Sequence, residues 1–168
     1  MHSDVSFSVR HMMVSKVRGR FTKVDGKIVT AENPLDSSVT ASIDLASIET
    51  GNEQRDTHLR SSDFFSVDEH PTMTYRSTGF RRDGDDHVLD GELSVRGVTK
   101  DVPLTLEVNG FGPDAYGGTR VGFSATGEIN RKDFGVNWNA AIEGGGVVVS
   151  DKVALTLEIE AVLDTPAA

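Results

Sequence analysis

The 168-residue chain contains no cysteine, and no uninterrupted apolar run in it exceeds three residues. Without cysteine it can form no disulfide, no thiolate nucleophile and no thiolate metal site. A helix that crosses a membrane needs roughly 18 consecutive apolar residues. We therefore predict that the protein does not span a membrane.

The amino end lacks the basic region and apolar stretch that mark a signal peptide. The sequence as written therefore predicts a cytoplasmic protein. If an upstream leader was removed, a periplasmic or secreted protein is expected instead.

Positive charge is in deficit overall and is concentrated near the amino end. The net charge of −9 argues against a nucleic-acid partner, because phosphate contacts need a basic face. Residues 1–27 nevertheless carry a net charge of +4, and the rest of the chain carries −13. This basic zone could hold a small anion, or it could consist of solvated charges on one hairpin.

Residues suited to catalysis or metal binding are few, and their spacing matches no motif for such a site. The five histidines match no metal-site motif, and no G-x-S-x-G segment is present. We therefore predict no metal, no cofactor and no catalytic residue. One enzymatic alternative stays open, in which His11 or His58 meets Asp56 and serves as the base of a lipid-modifying hydrolase.

Alternation of apolar and polar residues is the strongest structural signal. Valine, isoleucine and threonine total 40 residues, a bias that favours strands. Strands are predicted at 4–10, 39–45, 89–95, 102–108, 121–129 and 153–163, with fainter ones at 17–24, 26–30 and 72–82. Such strands joined by short turns predict an all-β, antiparallel up-and-down barrel of about eight strands, with a sandwich as the alternative.

Three segments break this alternation and predict helical turns at the ends of the barrel. Thr50 and Glu53 form a capping box with Thr50 as the N-cap, followed by a short α-helix that ends near Leu59. Further helical turns are predicted at 12–16 and 131–134. No linker indicates a second domain, so residues 1–168 are predicted to form one domain.

Aromatic and branched residues fall on the apolar strand faces and in the end segments. They could pack a solid core, or they could line a space for one ligand inside a barrel of this size. Small residues on the same faces, among them Ala41, Gly91 and Ala161, would leave room for a long apolar guest along the axis. The predicted lining residues are Phe7, Val9, Phe21, Val39, Ile43, Leu59, Phe64, Phe65, Met73, Phe123, Phe134 and Trp138.

Several blocks, in order along the chain, resemble the YceI-like polyisoprenoid-binding proteins. They lie at 7–21, 56–71, 97–100, 130–136 and 149–153. The resemblance implies a lipocalin-like barrel that carries or stores a long isoprenoid lipid, of the isoprenoid quinone or polyprenyl phosphate type, without catalysis. Family members usually carry several residues before the position of His2, so we expect that this leading segment is missing here.

A polar head on such a lipid would sit at the mouth of the barrel, among donors that can bind a pyrophosphate or quinone oxygens. Some of these donors could instead pair with Asp56, Asp63 or Asp133. The predicted head-group residues are Arg10, His11, Arg18, His58, Arg60 and Arg131.

A second alternative is a stress-associated structural or interaction module with a packed core. Such a protein would bind a partner through an apolar surface or a strand edge, and the truncated first strand would allow a homodimer. The two main hypotheses differ in whether the interior holds a small hydrophobic isoprenoid molecule or only side chains.

Overall fold

The computed structural model describes residues 3–12, 14–29, 32–33, 36–113, 119–139 and 149–162. Among these residues there is one α-helix, α1 (Glu53–Arg60), and there are 3₁₀ helices at Leu45–Ser47 and Arg131–Phe134. The strands are β1 (Asp4–His11), β2 (Ser15–Phe21), β3 (Val24–Val29), β4 (Ser38–Asp44), β5 (Ile48–Glu49), β6 (Thr72–Asp83), β7 (Asp86–Val95), β8 (Val98–Asp101), β9 (Leu104–Pro113), β10 (Thr119–Asn130) and β11 (Val149–Val162).

These strands form one antiparallel sheet. Neighbours follow the order β3-β4-β6-β7-β9-β10-β11-β1-β2-β5, and β8 pairs with β7. Three pairs of successive segments are single bent strands, because only two or three residues separate β2 from β3, β4 from β5 and β8 from β9. The described segments therefore make eight strands, and the predicted up-and-down barrel is confirmed.

The barrel closes through the bent hairpin made by β2–β3 and β4–β5. β5 pairs with the end of β2, where Phe21 lies opposite Ile48, while β3 pairs with β4. Across the bend the Asp44 amide donates to the Lys23 carbonyl at 3.0 Å. Because β3 continues β2 and β5 continues β4, the two ends of the strand order meet and the sheet curls back on itself.

Strand register places the apolar residues of adjacent strands side by side on the inner face. Ala125 lies opposite Leu157, Leu157 opposite Val5, and Val5 opposite Phe21. Because successive side chains point to opposite faces, a shift of one residue in any of these pairs would turn part of this row outward. The inner face of the barrel is therefore a direct consequence of the alternation in the sequence.

The most deeply buried residues lie at the bend that closes the barrel. Leu45 and Ile48 have no exposed surface; Leu45 is the first residue of the 3₁₀ helix between β4 and β5, and Ile48 follows its last residue. Asp44 caps this helix by accepting a hydrogen bond from the Ala46 amide at 3.0 Å. Apolar packing and a side-chain cap thus fix the bend together.

The start of α1 differs from the prediction. The N-cap is Asn52, whose side-chain oxygen accepts from the Arg55 amide at 2.9 Å. Thr50, the predicted N-cap, lies one residue after β5 and donates its hydroxyl to the buried Asp56. The prediction of a capping box was wrong, because the Thr50 hydroxyl that the box would use donates to Asp56 instead.

The other two predicted helical turns have opposite outcomes. The turn at 131–134 is confirmed as the second 3₁₀ helix. The prediction of a helical turn at 12–16 was wrong. β2 begins at Ser15, and the Val14 amide donates to the His11 carbonyl at 3.3 Å to close a tight hairpin. Residue 163, the predicted end of the last strand, lies outside the described residues. In the part of the chain that is described, no helix has the length and hydropathy needed to cross a membrane.

The environment of Tyr75, on the inner face of β6, predicts that the free energy of unfolding depends on pH. Its hydroxyl donates to the Val102 carbonyl at 2.8 Å. Burial, reinforced by the charge of Asp90, raises the pKa of Tyr75. Above about pH 10 the unfolded chain loses a proton that the folded chain keeps, so the free energy of unfolding should fall by up to about 1.4 kcal/mol per pH unit.

Replacement of Tyr75→Phe should remove this dependence on pH. Below about pH 10 it should also cost about 1 kcal/mol for the lost hydrogen bond. Urea unfolding of both proteins from about pH 8 to about pH 11 measures the difference. If the difference in free energy of unfolding between the wild type and Tyr75→Phe stayed constant across this range, the raised pKa of Tyr75 would not be the cause of the pH dependence.

Candidate functional site

Many apolar residues on the inner face of β1, β4, β9, β10 and β11 are only half-buried. Since they point into the barrel, their remaining exposed surface faces the interior. The bend and the start of β6 are packed more tightly than this wall. The half-buried inner residues are Phe7, Val9, Val39, Ala41, Leu106, Val121, Phe123, Ile129, Val153, Leu155, Leu157, Ile159 and Ala161.

Large inner side chains lie flat across glycines on neighbouring strands. A Cβ atom at Gly19 would overlap the ring of Phe7, and one at Gly127 would overlap Leu104. Phe7 and Gly19 face each other directly across β1 and β2. Because these side chains lie along the wall, they fill less of the barrel axis than their volume suggests.

The predicted lining residues divide into two groups. Phe7, Val9, Val39 and Phe123 lie on the half-buried inner wall, and Leu59, Phe65 and Trp138 are half-buried at the end of the barrel that carries α1. The other five are packed against protein and differ from the prediction, because they present almost no surface to a guest. They are Phe21, Ile43, Phe64, Met73 and Phe134.

Aromatic rings fill the α1 end of the barrel. Phe21 contacts Phe7 on one side and Phe65 on the other, with ring centroids 5.8 Å and 6.0 Å apart. Below α1, the ring of Trp138 packs on Phe64 at 5.4 Å.

Arg131, a predicted head-group residue, has a different role in the structure. It is only 5% exposed, and its guanidinium donates to the carbonyls of Val136 and Trp138 at 2.8 Å and of Ser150 at 2.9 Å. Burial lowers the pKa of Arg131, and the charge of Asp151 opposes that effect. The side chain holds the 3₁₀ helix and the following segment against β11, so its donors are not available to a ligand.

Two more of the predicted head-group residues are also engaged. Arg60 donates to the carbonyls of Ala46 and Ile48, both at 3.1 Å, and so ties α1 to the bend. His58 is hydrogen-bonded to Asp63 at 2.8 Å. The meeting of His58 with Asp56, which the enzymatic alternative requires, does not occur, because His58 binds Asp63 and Asp56 accepts from Thr50.

His58 also contacts two aromatic rings. Its ring makes edge-to-face contacts with Phe64 at 5.1 Å and Trp138 at 4.8 Å between centroids. Within the described residues, its imidazole forms no hydrogen bond to a serine or threonine hydroxyl. The arrangement is therefore suited to joining α1 to the barrel.

Arg10, His11 and Arg18 lie in the β1–β2 hairpin. Arg10 and Arg18 are exposed on its outer face, whereas His11 is half-buried on the inner side. No hydrogen bond to the His11 imidazole is present among the described residues. The structure thus separates the six predicted residues into three that stabilise the fold, two on the outer surface and His11.

Inner residues that sequence reasoning left out include Leu106, Ile129, Leu155 and Leu157. The alternation in β9, β10 and β11 already placed them on the apolar face, so the same signal that located the strands could have found them. The predicted lining residues omitted them because that set favoured aromatic side chains.

Two grooves of about 410 Å³ and 430 Å³ include only Ala41 and Ile159, respectively, of the half-buried inner residues. The first follows β3, β4, β6 and β7 and contains polar residues such as Thr40, Thr74 and Arg76. Neither groove includes a predicted lining residue. Across the described ranges, no group of three or more histidine, aspartate or glutamate residues could hold a metal ion.

Comparison with known proteins gives consistent matches over nearly the whole chain. Residues 1–161 match the family model of the YceI-like domain. The chain is 36% identical over 166 residues to a UPF0312 protein of Staphylococcus epidermidis, covering 98% of this chain and 95% of that protein.

Solved structures share the fold. A crystal structure of a Campylobacter jejuni YCEI protein superposes with a TM-score of 0.78 at 30% identity, covering 93% of this chain and 90% of that one. A polyisoprenoid binding domain from Saccharophagus degradans, implicated in plant cell wall breakdown, superposes with a TM-score of 0.67 at 18% identity, covering 94% and 92%. At that identity the second match shows the fold alone.

The role of Arg131 as a structural residue can be tested by Arg131→Lys. A lysine keeps the charge but cannot reach three carbonyls with one planar group, so the free energy of unfolding should fall by about 3 kcal/mol. The matched control is Arg20→Lys, since Arg20 is 59% exposed and pairs with Glu49 at 3.3 Å. This control should change stability by about 0.5 kcal/mol or less in urea unfolding. Equal effects of the two substitutions would argue against the structural role.

Proposed function

Because the chain belongs to the YceI-like family, we propose that its barrel binds the hydrocarbon chain of a polyisoprenoid lipid and carries or stores it without chemical change. The ligand would be of the isoprenoid quinone or polyprenyl phosphate type. The fold that the chain shares with a polyisoprenoid binding domain supports this class of ligand. The observation that carries the proposal is the half-buried apolar wall formed by β1, β4, β9, β10 and β11.

The energetics favour a long apolar guest. Each buried methylene contributes about 0.8 kcal/mol, so a five-carbon isoprene unit gains roughly 3–4 kcal/mol before costs. Ordering a flexible chain removes much of this gain. Since isoprene units form no hydrogen bonds, the shape of the wall sets selectivity along the chain.

The polar head of the ligand needs a donor near the inner surface. Of the six predicted head-group residues, His11 fits best, since it is half-buried and its imidazole has no hydrogen-bond partner among the described residues. Arg60 and Arg131 are excluded by their bonds to backbone carbonyls. We assign His11 to the head group on this basis.

A pair of tryptophan substitutions on β11 tests the interior site. Ala161 lies on the half-buried inner face, and Ala154 is exposed on the outer face of the same strand. Ala161→Trp should reduce the binding of geranylgeraniol at least about tenfold, because the indole takes up interior space. Ala154→Trp should leave binding unchanged. Displacement of an apolar fluorescent dye measures both, and urea unfolding confirms that both variants fold.

Native mass spectrometry of the untreated protein provides an independent measurement. The proposal expects a co-purifying lipid that organic solvent removes, and less of it in the Ala161→Trp variant. If both tryptophan variants bound geranylgeraniol as well as the wild type, the interior would not be the site.

The hydrolase alternative makes a different prediction for the histidines. His58→Ala and His11→Ala would abolish turnover of a polyprenyl ester if either residue were a base. The carrier hypothesis expects no turnover by any of the three proteins. It also expects weaker binding of the head group in the His11 variant alone.

The free edge of β3 favours a second candidate function, that of a homodimeric interaction module. Within the described residues β3 pairs only with β4. Because the Asp44 amide donates to Lys23, alternate residues face β4, and the backbone groups of Val24, Gly26 and Ile28 face away from it. Antiparallel pairing with a second copy, centred on Gly26, would place Asp25 opposite the Lys27 of that copy.

A charge exchange tests this dimer. Lys27→Asp would place two aspartates opposite each other and should weaken dimerisation about fivefold or more, since like charges across a strand pair repel. Adding Asp25→Lys to that variant restores complementary charges and should restore the dimer. Sedimentation equilibrium measures all three proteins. A monomeric wild type, or a dimer that ignores both changes, would exclude this edge as the interface.

A further inference from the structure

The β1–β2 hairpin ends in an exposed apolar tip. Met12 is 45% exposed and Val14 is 83% exposed, the highest value among the large hydrophobic residues described. The hydrogen bond from the Val14 amide to the His11 carbonyl keeps the turn tight, and both side chains lie exposed. Contact with water is unfavourable for both residues.

The backbone of the tip is also in an unusual conformation. Met12 has a φ of +52°, in the left-handed region that favours glycine or asparagine. A methionine there costs roughly 1–2 kcal/mol. The chain therefore keeps an apolar side chain at a position where glycine would be less strained and would expose no apolar side chain to water.

Just behind the tip, three cations share the outer face of the hairpin. Arg10 lies directly opposite Lys16, and Arg18 lies one position further along the same face, opposite Ser8. All three are exposed, and none forms an ion pair among the described residues. Since like charges opposite each other destabilise a strand pair, this cluster does not serve the stability of the hairpin.

We propose that this hairpin, with Met12 and Val14 at its tip and Arg10, Lys16 and Arg18 behind them, docks on the surface of an anionic lipid bilayer. The apolar side chains enter the interface between headgroups and acyl chains, and the cations contact the anionic headgroups. Both features are unfavourable in water and favourable at such a surface. The charge of the hairpin also contrasts with the net charge of −9 of the whole chain, which orients the protein with this end towards the membrane.

The hairpin also carries an edge of β2 that has no strand partner. On the side away from β1, only Arg20 and Phe21 of β2 have a strand partner, so the segment Ser15–Gly19 has none among the described residues. Behind this free edge lie Val9 and Val17, which are half-buried and point inward. Docking by the tip would hold this edge of β2 close to the bilayer, where a lipid chain can pass between membrane and interior. This part of the inference rests on the proposed function, whereas docking itself does not.

Vesicle flotation tests docking. The probes are vesicles of phosphatidylcholine with about one third phosphatidylglycerol, and vesicles of phosphatidylcholine alone. We expect the wild-type protein to bind the anionic vesicles, to bind the neutral ones several-fold less, and to lose binding as salt rises. Lys16→Gln with Arg18→Gln should weaken binding roughly 25-fold, at about fivefold for each cation.

Matched controls separate the tip from general charge and hydrophobicity. Met12→Ser with Val14→Ser should weaken binding at least about tenfold, whereas Val29→Ser with Val162→Ser, at exposed valines elsewhere, should not. Lys23→Gln with Lys100→Gln removes two exposed cations away from the hairpin and should have little effect.

Failure of docking and failure of the interior site give different results. Hairpin variants that no longer bind vesicles should still bind free geranylgeraniol like the wild type, because the inner wall is unchanged. No binding of the wild type to anionic vesicles at low salt would overturn docking and leave the interior site intact. Docking would also be overturned if the hairpin and control variants lost vesicle binding equally. The same holds if the hairpin variants changed the oligomeric state and left vesicle binding unchanged.

Discussion

Closure of the barrel by the bent hairpin is the constraint on which the rest of the structure depends. The sheet has one apolar face, and that face is shielded from water only if the two ends of the sheet meet. They meet where Phe21 lies opposite Ile48, beside the fully buried Leu45. The Asp44 cap and the bonds from Arg60 to the bend hold this junction in place. Without it, the inner wall would be one face of an open sheet.

Polar residues near the barrel ends mostly stabilise the fold. Arg131 binds backbone carbonyls, His58 joins α1 to Phe64 and Trp138, and Asp56 fixes Thr50 after β5. A residue type that is suited to binding a phosphate is equally suited to binding carbonyls. Burial separates these uses, and burial is not visible in a single sequence.

The interior and the hairpin tip together describe a protein suited to apolar cargo. Glycines on β2 and β10 let Phe7 and Leu104 lie along the wall. Half-buried leucines and valines then face the axis in rows set by strand register. At the β1–β2 end, exposed Met12 and Val14 add apolar surface where a membrane could be met. The proposed function links these two surfaces through the free edge of β2.

The sequence alone determined the strands, the number of strands in the barrel and the apolar face, because alternation with a period of two is a local property. The alternate residues Val121 to Ile129 of β10 and Val153 to Ala161 of β11 were placed on the inner face in this way. The N-cap of α1, the role of Arg131 and the depth of Phe21, Ile43 and Met73 were decided only by the tertiary structure. Each depends on which groups meet in the folded chain: Asp56 takes the Thr50 hydroxyl, the carbonyls of Val136, Trp138 and Ser150 accept from Arg131, and the bend covers Phe21.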